Sequence, residues 1–87
     1  MLKPSVKQML MIGKDMGYET VEVAYSDYMR HYDCFFLIED FQNQNKEFTQ
    51  QIIDYGLVIK EGDGSYSFKD LTVNEALRII GETNAKP

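Results

Sequence analysis

Residues 20–41 read TVEVAYSDYMRHYDCFFLIEDF, and the folding of this stretch decides the architecture of the whole chain. At about 100° per residue, Val21, Ala24, Tyr25, Tyr28, Met29, Tyr32, Phe35 and Phe36 share one broad face. Glu22, Ser26, Arg30, Asp33 and Asp40 lie elsewhere. That register predicts a helix from Thr20 to about Phe41. In its second half, Cys34, Leu37, Ile38 and Phe41 form another stripe roughly opposite the first, which calls for burial on both sides. A competing reading makes Thr20 to Tyr25 a strand, because Val21, Val23 and Tyr25 alternate with polar residues, and Cys34 to Ile38 a buried strand. The unbroken helical register favours the helix.

On the N-terminal side, Val6, Met9, Leu10 and Met16 make an apolar stripe that predicts a helix from about Ser5 to Met16. Ser5 and Gln8 match a capping box, and Gly17 is a stop signal. On the C-terminal side, Gln42 to Asn45 reads as a connector. Asn45 is the expected N-cap of a third helix over Lys46 to Tyr55, with Phe48, Ile52 and Tyr55 as its stripe and Gly56 as its end. Leu57 to Lys60 and Ser65 to Phe68 flank Gly62, Asp63 and Gly64 and predict a β-hairpin. A last helix begins at Thr72, where Thr72 and Glu75 form a second capping box. Val73, Ala76, Leu77 and Ile80 face inward, Gly81 closes the helix, and residues 82–87 fray. The expected fold is therefore mainly α (α+β): a small bundle of about four helices with one β-hairpin between the third and fourth, in a single compact domain spanning residues 1–87.

The chain has 87 residues, 44% hydrophobic and 26% charged, a balance that suits one globular core. The lone Cys34 offers no internal disulfide, and no secretion-signal pattern is visible, so the expected location is cytoplasmic. The longest strongly apolar run, Cys34 to Ile38, is far too short to span a bilayer. A formal charge of −5, with the nine basic residues scattered, disfavours nucleic acid, whose binding draws on clustered Lys and Arg.

No constellation points to catalysis. His31 and Cys34, with Asp27 one helical turn earlier, are plausible zinc ligands by type, but no second Cys or His exists to complete a structural site. The same pair lacks the surroundings of an activated thiol. Adjacent carboxylates such as Glu39 and Asp40, or the nearby Glu61 and Asp63, read as solvated charge, and Glu61 to Asp70 does not match a calcium loop. No cofactor or metal is expected, and the chain is read as non-enzymatic.

From Lys46 to Phe68 the order of helix, glycine, strand, glycine-rich turn and strand resembles the recognition helix and wing of winged-helix proteins. That resemblance implies a nucleic-acid-binding regulator as the alternative function. Glu47, Asp54, Glu61 and Asp63 depart from its DNA-contacting pattern, in which Arg and Lys would lie against phosphate.

The leading expectation is a small adaptor, inhibitor or assembly subunit that binds another protein, or a second copy of itself, through the aromatic helix. Tyr25, Tyr28, Met29, Arg30, Tyr32, Leu37 and Phe41 are its candidate partner-binding residues, because Tyr, Phe, Met and Arg contribute large contact areas at interfaces.

Overall fold

The computed structural model describes residues 3–85. Helix α1 (Val6–Asp15) is followed by strands β1 (Thr20–Asp27) and β2 (Arg30–Leu37), and a short 3-10 helix (Ile38–Asn43) leads into a coil. Strands β3 (Gln51–Lys60) and β4 (Tyr66–Thr72) then precede helix α2 (Val73–Ala85). The strands form one antiparallel sheet in the order β2-β1-β3-β4. Side chains from α1 and α2 join those of one sheet face in a single hydrophobic cluster, leaving the other face uncovered by either helix.

The expected four-helix bundle is thus incorrect, and the error lies in the opening stretch. Thr20 to Phe41 is a β-hairpin followed by a 3-10 turn. The residues that suggested one helical stripe also alternate: Val21, Val23 and Tyr25 on β1 pair with Phe36, Cys34 and Tyr32 on β2. β-Branched and aromatic side chains favour this pleated arrangement, since a helix restricts their rotamers. The puzzling second stripe disappears, because Cys34 and Phe36 turn toward the core while Phe35 and Leu37 turn away. The third helix expected over Lys46 to Tyr55 is likewise absent. Its first half is coil, and its second half belongs to β3. The winged-helix resemblance loses its recognition helix with it.

The locally signalled features are present. Gln8 N–H donates to Ser5 Oγ at 3.1 Å and Ser5 N–H to Gln8 Oε1 at 2.9 Å, completing the first capping box. Gly17, at φ +84°, ends α1, and Tyr18 N–H donates back to the Gly13 carbonyl at 2.8 Å. The turn after β3 closes through Glu61 N–H to the Ser65 carbonyl at 2.7 Å, with Gly64 at φ +90°. Thr72 and Glu75 exchange two bonds of 3.0 Å at the start of α2. That helix does not stop at Gly81 but continues to Ala85, so part of the expected frayed tail is helical; Lys86 and Pro87 lie outside the described residues.

The core holds Val6, Met9, Leu10 and Ile12 from α1 against Val21, Val23, Tyr55, Leu57 and Leu71 from the sheet, with Ala76 and Ile80 from α2. Tyr55 is almost wholly enclosed, and its hydroxyl donates to the Pro4 carbonyl at 2.8 Å; burial pushes its pKa up to about 12. Gly13 lets α1 approach the sheet closely. A Cβ there would meet Ile38 Cδ1 at 2.6 Å and Leu57 Cδ2 at 3.3 Å.

The uncovered face has a different chemistry. One row across it runs Leu37, Thr20, Val58, Phe68; the next runs Phe35, Glu22, Gly56, Asp70; the third runs Asp33, Ala24, Asp54, Thr72. Four carboxylates therefore share a small area, one from each strand. Glu22 and Asp54 have raised pKa values, first through desolvation and then through their acidic neighbours, Asp33, Asp54 and Asp70 around Glu22 and Asp70 and Asp33 around Asp54. A carboxyl whose folded pKa exceeds its unfolded one destabilises the fold above that pKa, and the penalty lifts as pH falls through it. Asp54→Asn is accordingly expected to raise the melting temperature at pH 7, with the gain shrinking as pH falls through the carboxyl range. Melting curves of both proteins across that range measure the difference, and a gain that persists undiminished in acid would show that charge repulsion is not its source.

Candidate functional site

A two-residue turn, Tyr28 and Met29, joins β1 to β2, closed by the pair Asp27 and Arg30. The type I′ form of such a turn needs positive φ at both central positions, a geometry that Asn-Gly or Gly-Gly adopts at little cost. Here Tyr28 has φ 48° and Met29 has φ 65°, the only positive-φ residues other than glycine among the described residues. Two bulky side chains thus occupy left-handed backbone, at a cost of order 1–2 kcal/mol each. They are also open to solvent: Tyr28 is 92% exposed and Met29 100% exposed. Strain and exposure coincide at one tip.

The base of the hairpin is rigidly built. Tyr25 and Tyr32 form a cross-strand pair with stacked rings, centroids 5.5 Å apart. Phe48 from the coil lies 5.0 Å from Tyr25 and meets Phe36 edge-on at 6.1 Å, so an aromatic series connects Tyr32 to the core. Lys3 holds this coil in place by donating to the carbonyls of Phe48 and Gln50, and the Lys46 ammonium sits 5.1 Å from the centre of the Phe48 ring.

The hairpin also projects beyond its neighbour. Pairing of β1 with β3 ends at Ser26 and Gln51, so Asp27 to Arg30 extend past the β3 strand. Just before that point the register shifts: Ala24 faces Asp54 but Tyr25 faces Ile52, leaving Ile53 as an extra residue in β3. Such bulges bend and twist a sheet locally, and here the bend lies at the root of the finger.

Of the seven residues expected to bind a partner, the structure brings Tyr25, Tyr28, Met29, Arg30 and Tyr32 together on this hairpin. Tyr25 is half-buried and supports the tip; Tyr28, Met29 and Arg30 form it; Tyr32 is partly exposed beside it. Leu37 and Phe41 are elsewhere. The seven steps along β2 from Arg30 to Leu37 cover roughly 23 Å. Both residues line a cleft of about 430 Å3 with Lys14, Tyr18 and Glu39, and the Lys14 ammonium lies 4.7 Å from the centre of the Phe41 ring. Sequence reasoning named the tip residues for their type but placed them on a helix. The signal it missed was Tyr-Met in a position reserved for turn residues, which no local pattern announces.

His31 and Cys34, three apart, lie on opposite faces of β2 and cannot share a ligand. Among the described residues, no three His, Cys, Asp or Glu side chains are grouped to hold a metal ion, and no helix is long and apolar enough to cross a membrane. In comparisons with known proteins, no family model, curated sequence or solved structure matches the chain.

Proposed function

We propose that this protein is a small non-enzymatic binding module that inserts the Tyr28–Met29 tip of its hairpin into a recess on another protein. The observation that carries this reading is the tip itself, where two large, almost fully solvated side chains occupy a turn whose geometry disfavours both. Such strain persists where something other than stability maintains it, and the stability of the free chain gains nothing from either side chain. Tyr and Met contribute large contact areas to interfaces, and Arg30 beside them supplies a directional donor group. An anionic membrane surface is disfavoured as the partner by the net charge of −5. The half-buried free thiol of Cys34 suits a reducing compartment, and the reading places the module in the cytoplasm.

The test uses the full tagged chain in an extract of its native host, with a photo-crosslinking side chain at position 29. One protein is expected to be captured at stoichiometric yield and to carry the crosslink. Tyr28→Ala and Met29→Ala should each weaken that complex by about 2 kcal/mol, roughly 30-fold, as truncation of a central anchor does. Capture that survives both substitutions, or a crosslink only to lipid or nucleic acid, would overturn the reading.

A further inference from the structure

On the uncovered sheet face the two outer strands carry exposed apolar side chains, and the strip of β1 and β3 between them is termed the trough. Its floor carries Thr20, Glu22 and Ala24 on β1 and Val58, Gly56 and Asp54 on β3, the small Thr20, Ala24 and Gly56 alternating with larger side chains. Its rims, on β2 and β4, carry Phe35 and Leu37 on one side and Phe68 on the other, exposed to 58%, 51% and 63%. Rim to rim is three interstrand steps, roughly 14 Å, and an α-helix with its side chains is about 10–12 Å across. A Cβ at Gly56 would stand 3.4 Å from Glu22 Cβ, 3.5 Å from Glu22 Oε1 and 3.8 Å from Asp70 Oδ1, so the carboxylates of Glu22 and Asp70 lie beside and over this glycine.

Charge selects the occupant. Glu22, Asp33, Asp54 and Asp70 converge on the trough, and the pKa values of Glu22 and Asp54 are raised first by desolvation and then by these acidic neighbours. We propose that the trough docks an amphipathic, cationic helix of a partner protein, with its apolar residues against Phe35, Leu37 and Phe68 and its Lys or Arg side chains over the four carboxylates. Anionic nucleic acid and anionic lipid are repelled by the same charges. A second copy is the weaker occupant. Two troughs face to face would oppose eight carboxylates, twice the four on each chain. The outward Lys7 and Lys14 of α1 would meet a trough only head to tail, a contact that does not close. The trough is separate from the hairpin tip, and the two readings stand or fall independently.

The probe is a synthetic helical peptide of Leu and Lys, about 18 residues long, with a Leu and Glu peptide of the same pattern as control. Titrated into the full isotope-labelled chain, the Lys peptide is expected to saturate at one equivalent and to move the amide resonances of Glu22, Phe35, Gly56 and Asp70. The double variant Glu22→Gln with Asp70→Asn should weaken it at least tenfold, and Phe68→Ala several-fold, whereas Tyr28→Ala leaves it unchanged. Glutamine and asparagine keep the shape of the face, so these variants fold. The proposal is overturned if the Lys peptide fails to bind, if it moves only the hairpin tip, or if the Glu peptide binds equally. It is overturned as well if neither variant weakens binding, if calcium alone moves the same amides and excludes the peptide, or if the free chain gains mass with concentration through this face.

Discussion

Replacing Tyr28 by Asn and Met29 by Gly is expected to make the protein more stable and to disable it. The native turn holds both residues at positive φ, 48° and 65°, where Cβ crowds the following carbonyl oxygen. Asn tolerates this region and glycine has no penalty there, so the exchange relieves strain at both positions. Glycine also loses more freedom on folding, which offsets part of the gain. Nothing else is lost from the free chain, because the two side chains are almost fully solvated. The net stabilisation should be about 1–2 kcal/mol, a rise in melting temperature of roughly 5–15 °C for a domain of this size. Capture of the protein that crosslinks at position 29 of the parent should fall to background in the same variant. Calorimetry and the capture assay together decide the matter. A destabilised variant would mean that Tyr28 and Met29 serve the fold, and a stabilised one that still captures its partner would remove the tip from the binding surface.

The second large effect contrasts two leucines. Leu57 is fully buried between the sheet and α1, where it helps to close the approach at Gly13, whereas Leu37 is 51% exposed on the uncovered face. Leu57→Ala should cost about 2–5 kcal/mol, because it removes buried methyl groups and leaves a cavity that a small domain can only partly refill. Against a total of about 5–10 kcal/mol this is a large fraction of the stability, readable as an early urea midpoint. Leu37→Asp should leave the fold within about 1 kcal/mol of the parent, as substitutions at exposed sites usually do. A helical stripe through Cys34, Leu37, Ile38 and Phe41 would have made the same change ruinous, since an unpaired carboxylate would be buried. If Leu37→Asp unfolds while Leu57→Ala is mild, the register of the hairpin is wrong.

Much of the candidate site was legible only as composition. The aromatic density around Tyr25, Tyr28 and Tyr32 marked the right segment, yet helical spacing and strand alternation are both satisfied there. A glycine or asparagine at position 28 or 29 would have broken the tie, and its absence is the feature on which the proposed activity depends. The trough left no local trace. Glu22, Asp33, Asp54 and Asp70 are distant in sequence, and each reads alone as ordinary surface charge until strand pairing aligns them.

By itself the sequence determined what neighbouring residues settle among themselves: the capping boxes at Ser5 and Thr72, the stop at Gly17, and the turn around Gly64. Each rests on hydrogen bonds or backbone freedom within a few residues, so its energy does not depend on the rest of the fold. The tertiary structure alone decided that Thr20 to Leu37 is a hairpin, that Gln51 to Tyr55 extends β3, and that Ile53 is the extra residue of a bulge. It also decided that Phe48 leaves its coil to pack beside Tyr25 and Phe36. A strand gains its backbone hydrogen bonds only from a partner strand, and β1 lies between β2 and β3, the latter about thirty residues on, so no local window holds the terms that outweigh the helical register. The same pairing holds Tyr28 and Met29 in left-handed backbone that neither residue favours on its own.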